Sequence, residues 1–292
     1  MVSTIENAFI KLSVKSSGAE MLSLKGKKSS IEYLWQGDPD VWPRKAPVLF
    51  PIVGKLNENK YHLGSEVFTL PQHGFARNLI FDLVEEKANA LTYLLKANQE
   101  TFDKYPFDFA LAISYTLQGK TVSVTYRVEN TGSKTLFFTI GGHPGFNIVV
   151  SPGEAFEDYY LEFEKEEQAD RYLLEEGLFT GATESILKHS KKLPLNRAIF
   201  KSDAIVLKNL ASDFVRLKST RSNFELRFDF QGFPYLGIWT PAKEAPFVCI
   251  EPWMGLADKK GFTGNFSEKE GILSLEAGKT FTCTYAMELT NE

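Results

Sequence analysis

Apolar side chains recur at every second position over much of this 292-residue chain, and that period of two constrains its fold more than any other feature. Phe109, Leu111, Ile113, Tyr115 and Leu117 alternate with small or polar neighbours. Gln118-Gly119-Lys120 then intervenes, and Val122, Val124, Tyr126 and Val128 resume the pattern. Successive side chains of a strand point to opposite faces, so this stretch predicts a β-hairpin. The same pattern predicts hairpins joining 80–84 to 91–95 and 272–275 to 281–289, and a further strand over 224–230. Each such strand buries one face and wets the other. Many in succession need a second layer, which predicts an all-β sandwich of large antiparallel sheets.

No repeat and no low-complexity linker divides the chain, so a single domain over 1–292 is expected. The acidic stretch 160–178 reads as solvated strand and loop and receives no function. With 33 basic against 37 acidic residues the net charge is −4, which offers no positive field for nucleic acid or an anionic membrane. Residues 1–15 lack a basic leader and an apolar core, and no stretch reaches the ~18 apolar residues of a membrane span, so a cytoplasmic location is expected. Cys249 and Cys283 are too few for a disulfide framework and read as reduced thiols.

Two segments break the alternation in ways strand packing does not require. In Thr139-Ile140-Gly141-Gly142-His143-Pro144-Gly145-Phe146-Asn147 a histidine stands among glycines and a proline, where positive φ or close backbone approach is available. His143 there is either a proton-transfer group or a residue capping a turn. In Phe247-Val248-Cys249-Ile250-Glu251-Pro252-Trp253 a buried-type strand runs into Glu251, and Pro252 is expected to stop the ladder. A carboxylate there is either paired within the sheet or faces a cleft as a base with a raised pKa. His73 and Arg77, in Gln72-His73-Gly74-Phe75-Ala76-Arg77, can grip hydroxyls or phosphate. Arg44 and Lys45 sit among prolines and aromatics, with a solvated surface role as the plain alternative for Lys45. Trp239 is either a stacking face for a sugar ring or core. His62 and His189 read as solvated.

Taken together and in this order, the His73, His143 and Glu251 motifs resemble those of the aldose 1-epimerase (mutarotase) family, in its LacX-type and hexose-6-phosphate mutarotase-like branch. The resemblance runs over nearly the whole chain. It implies a galactose-mutarotase-like β-supersandwich that works on a sugar without a cofactor or metal. It further implies His143 and Glu251 as the catalytic pair, His73, Arg77 and Arg44 as substrate contacts, and, most loosely, Asp203 as a ligand of sugar hydroxyls. Gly142 before the histidine and Pro252-Trp253 after the glutamate depart from the better-known galactose enzymes, so galactose is not implied as substrate.

The residue types suit that chemistry on their own. Interconverting α and β anomers needs one group to take the C1 hydroxyl proton and another to protonate the ring oxygen. A carboxylate (ordinary pKa ~4.3) and a histidine (~6.5) serve as base and acid. Other readings use the same residues: a glycosidase with Asp203 and Glu251, a metal site of His73, His143 and Glu251, or a sugar-binding protein without turnover.

Overall fold

The alternating segments fold as strands. A computed structural model describes residues 1–241 and 243–292. Among the described residues 22 strands make the architecture, and the one α-helix is the single turn Gln99–Phe102. Strand Phe109–Gln118 pairs antiparallel with Thr121–Asn130 from Thr121↔Gln118 to Asn130↔Phe109, and the alternating apolar residues of both strands are buried. Strand Asp82–Lys87 pairs with Ala90–Lys96, so the turn is tighter than the sequence suggests and residues 85–87 belong to the ladder.

One hairpin expectation is corrected. Leu273–Leu275 and Thr280–Leu289 do not pair with each other: the first pairs with Leu136–Phe138, the second with Thr121–Asn130 and with Glu225–Asp229. The turn between them exists, with Lys279 N–H donating to Glu276 O. The buried Asn130 diverts the strands by donating from its side chain to Leu275 O and from its backbone to Lys279 O.

Fifteen strands form one continuous sheet rather than two separate ones. Its two halves are joined by Tyr159–Glu175, a 17-residue strand that pairs with Phe214–Ser219 through Tyr159–Phe163 and with Ile205–Lys208 at Tyr172. The sheet turns over on itself, so that Phe146 meets Phe228 at 5.8 Å between ring centres, while Phe50 and Phe138, outside its strands, meet Phe109 at 5.1 Å and Phe281 at 5.6 Å. Burial of these rings on both faces of the fold supplies its main driving force. The acidic strand 159–175 also departs from its plain reading. Tyr159, Leu161 and Phe163 lie in the core, and buried Glu167 accepts from the backbone N–H groups of Ala211 and Ser212.

Candidate active site

Strand Phe247–Trp253 is buried along its whole length and runs between Tyr235–Trp239 and a broken strand made of Gly141–Gly142 and Gly145–Asn147. The register on the broken side is Gly145↔Cys249 and Gly141↔Trp253. Counting two residues inward from either pair sets His143 directly across from Glu251, on the same face of the sheet. Their side chains meet, with His143 Nε2 3.3 Å from Glu251 Oε2. Pro252 does not end the ladder; it pairs with Leu236. Pro144 and Pro252 lack N–H groups, so the ladder thins around the pair, while Ile250 N–H still donates to Pro144 O at 3.2 Å.

The glycines beside His143 act differently from the expectation. Gly141, Gly142 and Gly145 are strand residues without positive φ, and what they supply is close approach. A Cβ on Gly141 would lie 2.8 Å from the Trp253 ring, and one on Gly237, across from Glu251, would lie 2.6 Å from the other side of that ring. The indole of Trp253 is thereby clamped beside the carboxyl.

Both members of the pair are buried, His143 at 8% and Glu251 at 1% exposure. Among the described residues, His143 Nδ1 and Glu251 Oε2 have no hydrogen-bond partner. Burial drives the Glu251 carboxyl well above its ordinary value, reinforced by the negative charge of Asp203; the Trp253 indole N–H opposes this without reaching hydrogen-bond geometry. Burial, with Arg77 and Arg44 adding repulsion, lowers His143 to about 3. These shifts reverse the ordinary order of the pair, so that the carboxyl binds a proton before the imidazole does.

His73 stands at the end of the loop before the 3₁₀ turn Ala76–Asn78, with φ 66°. Its Nδ1 accepts from Gly54 N–H at 3.1 Å, which fixes the neutral tautomer with the proton on Nε2. Burial, then the proximity of His143, Arg77 and Arg44, holds it neutral. Its ring is perpendicular to that of His143 at 5.7 Å. Trp42 lies along the other side of His143 at 4.9 Å, with Trp239 edge-on at 5.6 Å.

These groups open into a cleft of about 380 Å³, within the range of small-molecule sites, lined among others by Trp42, Gln72, Arg77, Asp203, Trp239 and Trp253. Arg77 donates to Gln72 O at 2.7 Å, leaves its buried Nε without a partner among the described residues, and is lowered to about 10 by burial and by the nearby Arg44. Asp203 is exposed at the rim, in a left-handed turn (φ 71°) where its side chain accepts from Ala204 N–H.

Of the residues singled out in the sequence, His73, Arg77, His143, Asp203, Trp239 and Glu251 converge on the cleft. Arg44 stands behind it, donating to Asn78, and reaches the histidines only through its charge. Lys45 is not brought in, because its ammonium donates to Leu22 O and Gln36 Oε1. His189 is exposed as expected, whereas His62 is half-buried. Trp42, Gln72 and Trp253 line the cleft without having been predicted, as do Leu174, Gly177 and Phe179 from the tip of the acidic hairpin. Their only sequence signal was proximity to the motifs: Trp42 two residues before Arg44, Gln72 directly before His73, and Trp253 two after Glu251. His143 and Glu251 gather a buried thiol, Cys249, and not His73, as a third potential metal ligand.

The bent sheet and its aromatic cleft define an all-β, galactose-mutarotase-like protein. The aldose 1-epimerase family profile matches residues 1–286. The chain is 38% identical over 266 residues to the plasmid-encoded protein LacX of Lactococcus lactis subsp. lactis, covering 88% of this chain and 89% of LacX. It superposes with TM-score 0.95 on a galactose mutarotase related enzyme from Lactobacillus acidophilus (35% identity; 99% of this chain, 97% of that one). A galactose mutarotase-like protein from Lactobacillus casei gives 0.94 (34% identity; 99% of each chain). The chain belongs to the aldose 1-epimerase family, and this membership supports a sugar epimerase activity.

Proposed function

We propose that the protein is a cofactor-independent mutarotase that interconverts the α and β anomers of an aldohexose or hexose 6-phosphate, with His143 and Glu251 as the proton-transfer pair. The observation that carries this reading is the cross-strand juxtaposition of the two groups, 3.3 Å apart in the lining of a cleft of sugar size. The pair's proton first passes from Glu251 to His143 across their 3.3 Å contact; the imidazolium then protonates the ring oxygen while the Glu251 carboxylate takes the C1 hydroxyl proton, and the C1–ring-oxygen bond breaks. The open aldehyde then faces a neutral imidazole and a protonated carboxyl, which is the order of proton affinity that burial favours. Rotation about C1–C2 and the reverse transfers close the other anomer, and the pair ends as it began.

His73, held neutral with a proton on Nε2, donates to a sugar oxygen; Arg77 grips hydroxyls; Trp42 and Trp239 give the ring apolar faces. Arg77, with its unpartnered Nε and Arg44 behind it, makes the mouth receptive to an anion. A free hexose and its 6-phosphate compared as substrates read this out: a lower KM for the phosphate supports an anion subsite, and equal efficiency removes it.

His143→Asn and Glu251→Gln should each reduce anomerisation, followed by polarimetry on freshly dissolved sugar, by ~100-fold or more with the fold intact. Folded variants at wild-type rates would refute the assignment. Sugar binding without turnover in the wild-type protein would make it a sugar-binding protein, and reducing sugar released from a glycoside would mark a glycosidase.

A further inference from the structure

We propose that His143, Cys249 and Glu251 form an inhibitory binding site for a thiophilic divalent cation of the Zn²⁺ or Cd²⁺ kind at the floor of the cleft. Cys249 lies two residues before Glu251 on the same strand, so both side chains emerge on one face, and its register partner Gly145 puts no side chain in the way. One donor atom from each of the three residues lies within 4.8 Å of the other two. A tetrahedral Zn²⁺ with ordinary bond lengths brings such atoms to about 3.3–3.6 Å, so closing on the ion takes side-chain shifts of roughly an ångström.

Independent support comes from the groups themselves. His143 Nδ1 and Glu251 Oε2 are buried polar atoms with no hydrogen-bond partner among the described residues, and the thiol is fully buried among Trp35, Trp42, Trp239 and Phe247. The donor set is one sulfur, one nitrogen and one oxygen, which suits a borderline or soft ion, whereas Ca²⁺ and Mg²⁺ require six or more oxygens. A thiolate and a carboxylate cancel the ion's two charges, so the complex is neutral against its aromatic walls. A tetrahedral ion would have its fourth position left for water.

Binding releases to solvent whatever protons the donor atoms carry and forms metal–ligand bonds in their place, with no change of oxidation state. It also occupies the acceptor and donor that proton transfer needs. That last consequence rests on the proposed mutarotase reading; the binding itself does not.

Cd²⁺ titrated into the purified protein, followed by the ultraviolet thiolate-to-metal charge-transfer band, tests the site directly. The expected result is a band that saturates at one ion per chain in the wild type and in Cys283→Ala, and is lost in Cys249→Ala. His143→Asn should raise the half-saturating concentration by at least the ~10–100-fold typical of losing an outer-shell partner. Turnover is read separately with Zn²⁺: Cys249→Ala keeps its metal-free rate and loses the inhibition. A wild type without the band, a band that survives Cys249→Ala, or Zn²⁺ inhibition undiminished in that variant would overturn the proposal. Should the protein prove inactive on every sugar, the Cd²⁺ band would still decide it.

Discussion

Replacing Glu251 by Gln should stabilise the fold near neutral pH, by an amount that grows with pH. The carboxyl is 1% exposed, and burial holds its folded pKa well above the ordinary 4.5. A raised folded pKa means that the group's contribution is fully present below 4.5 and is lost as pH rises toward the folded value, because only the unfolded chain ionises. The slope is ~1.4 kcal/mol per pH unit, so between about pH 5 and about pH 7 the wild type loses ~1.4 kcal/mol for every unit that lies below the folded pKa, a loss the Glu251→Gln variant does not share.

His143 works in the opposite sense. Its folded pKa is depressed to about 3, so its contribution rises with pH up to its ordinary 6.5. It is present in both proteins and cancels in their difference. Urea unfolding of wild type and Glu251→Gln at the two pH values, with a chelator present, measures that difference. A gap independent of pH, or a variant much less stable at neutral pH, would show that the pair rests as carboxylate and imidazolium. Breaking such a buried pair costs about 3–5 kcal/mol, and the imidazole rather than the carboxyl would then bind the pair's proton first.

Arg77→Ala should raise KM at least about tenfold, a charged hydrogen bond being worth ~1.5–3 kcal/mol, whereas Lys45→Met should leave KM unchanged because its ammonium is spent on Leu22 and Gln36. Saturation curves for both variants check this. Gly237→Ala places a methyl 2.6 Å from the Trp253 ring and should cost ~1–3 kcal/mol in denaturation, with a fall in kcat as the indole shifts against Glu251. Lys269 and Asp258 form a buried ion pair at 2.8 Å, and Asp258 also accepts from Asn57 N–H while its backbone bonds Lys55 and Phe179 at the cleft wall. Lys269→Met leaves that carboxylate unpaired and should lower stability by ~3–5 kcal/mol, seen as a drop in the urea midpoint.

The strands and their faces were legible in the sequence because a period of two is a local property: Leu111 and Val124 declare their burial without reference to distant residues. The residues of the site were legible for the same reason, since His143 and Glu251 each interrupt their own segment's pattern. What those residues do to one another was not. That His143 stands across from Glu251, that Cys249 shares their face, that Lys45 turns away and that Asn130 parts two strands the turn would have paired all follow from register and from contacts between segments far apart in the chain. Even the direction of the proton on the pair reversed from the free-residue order, because pKa follows desolvation, and desolvation exists only once the sheet has closed over both groups.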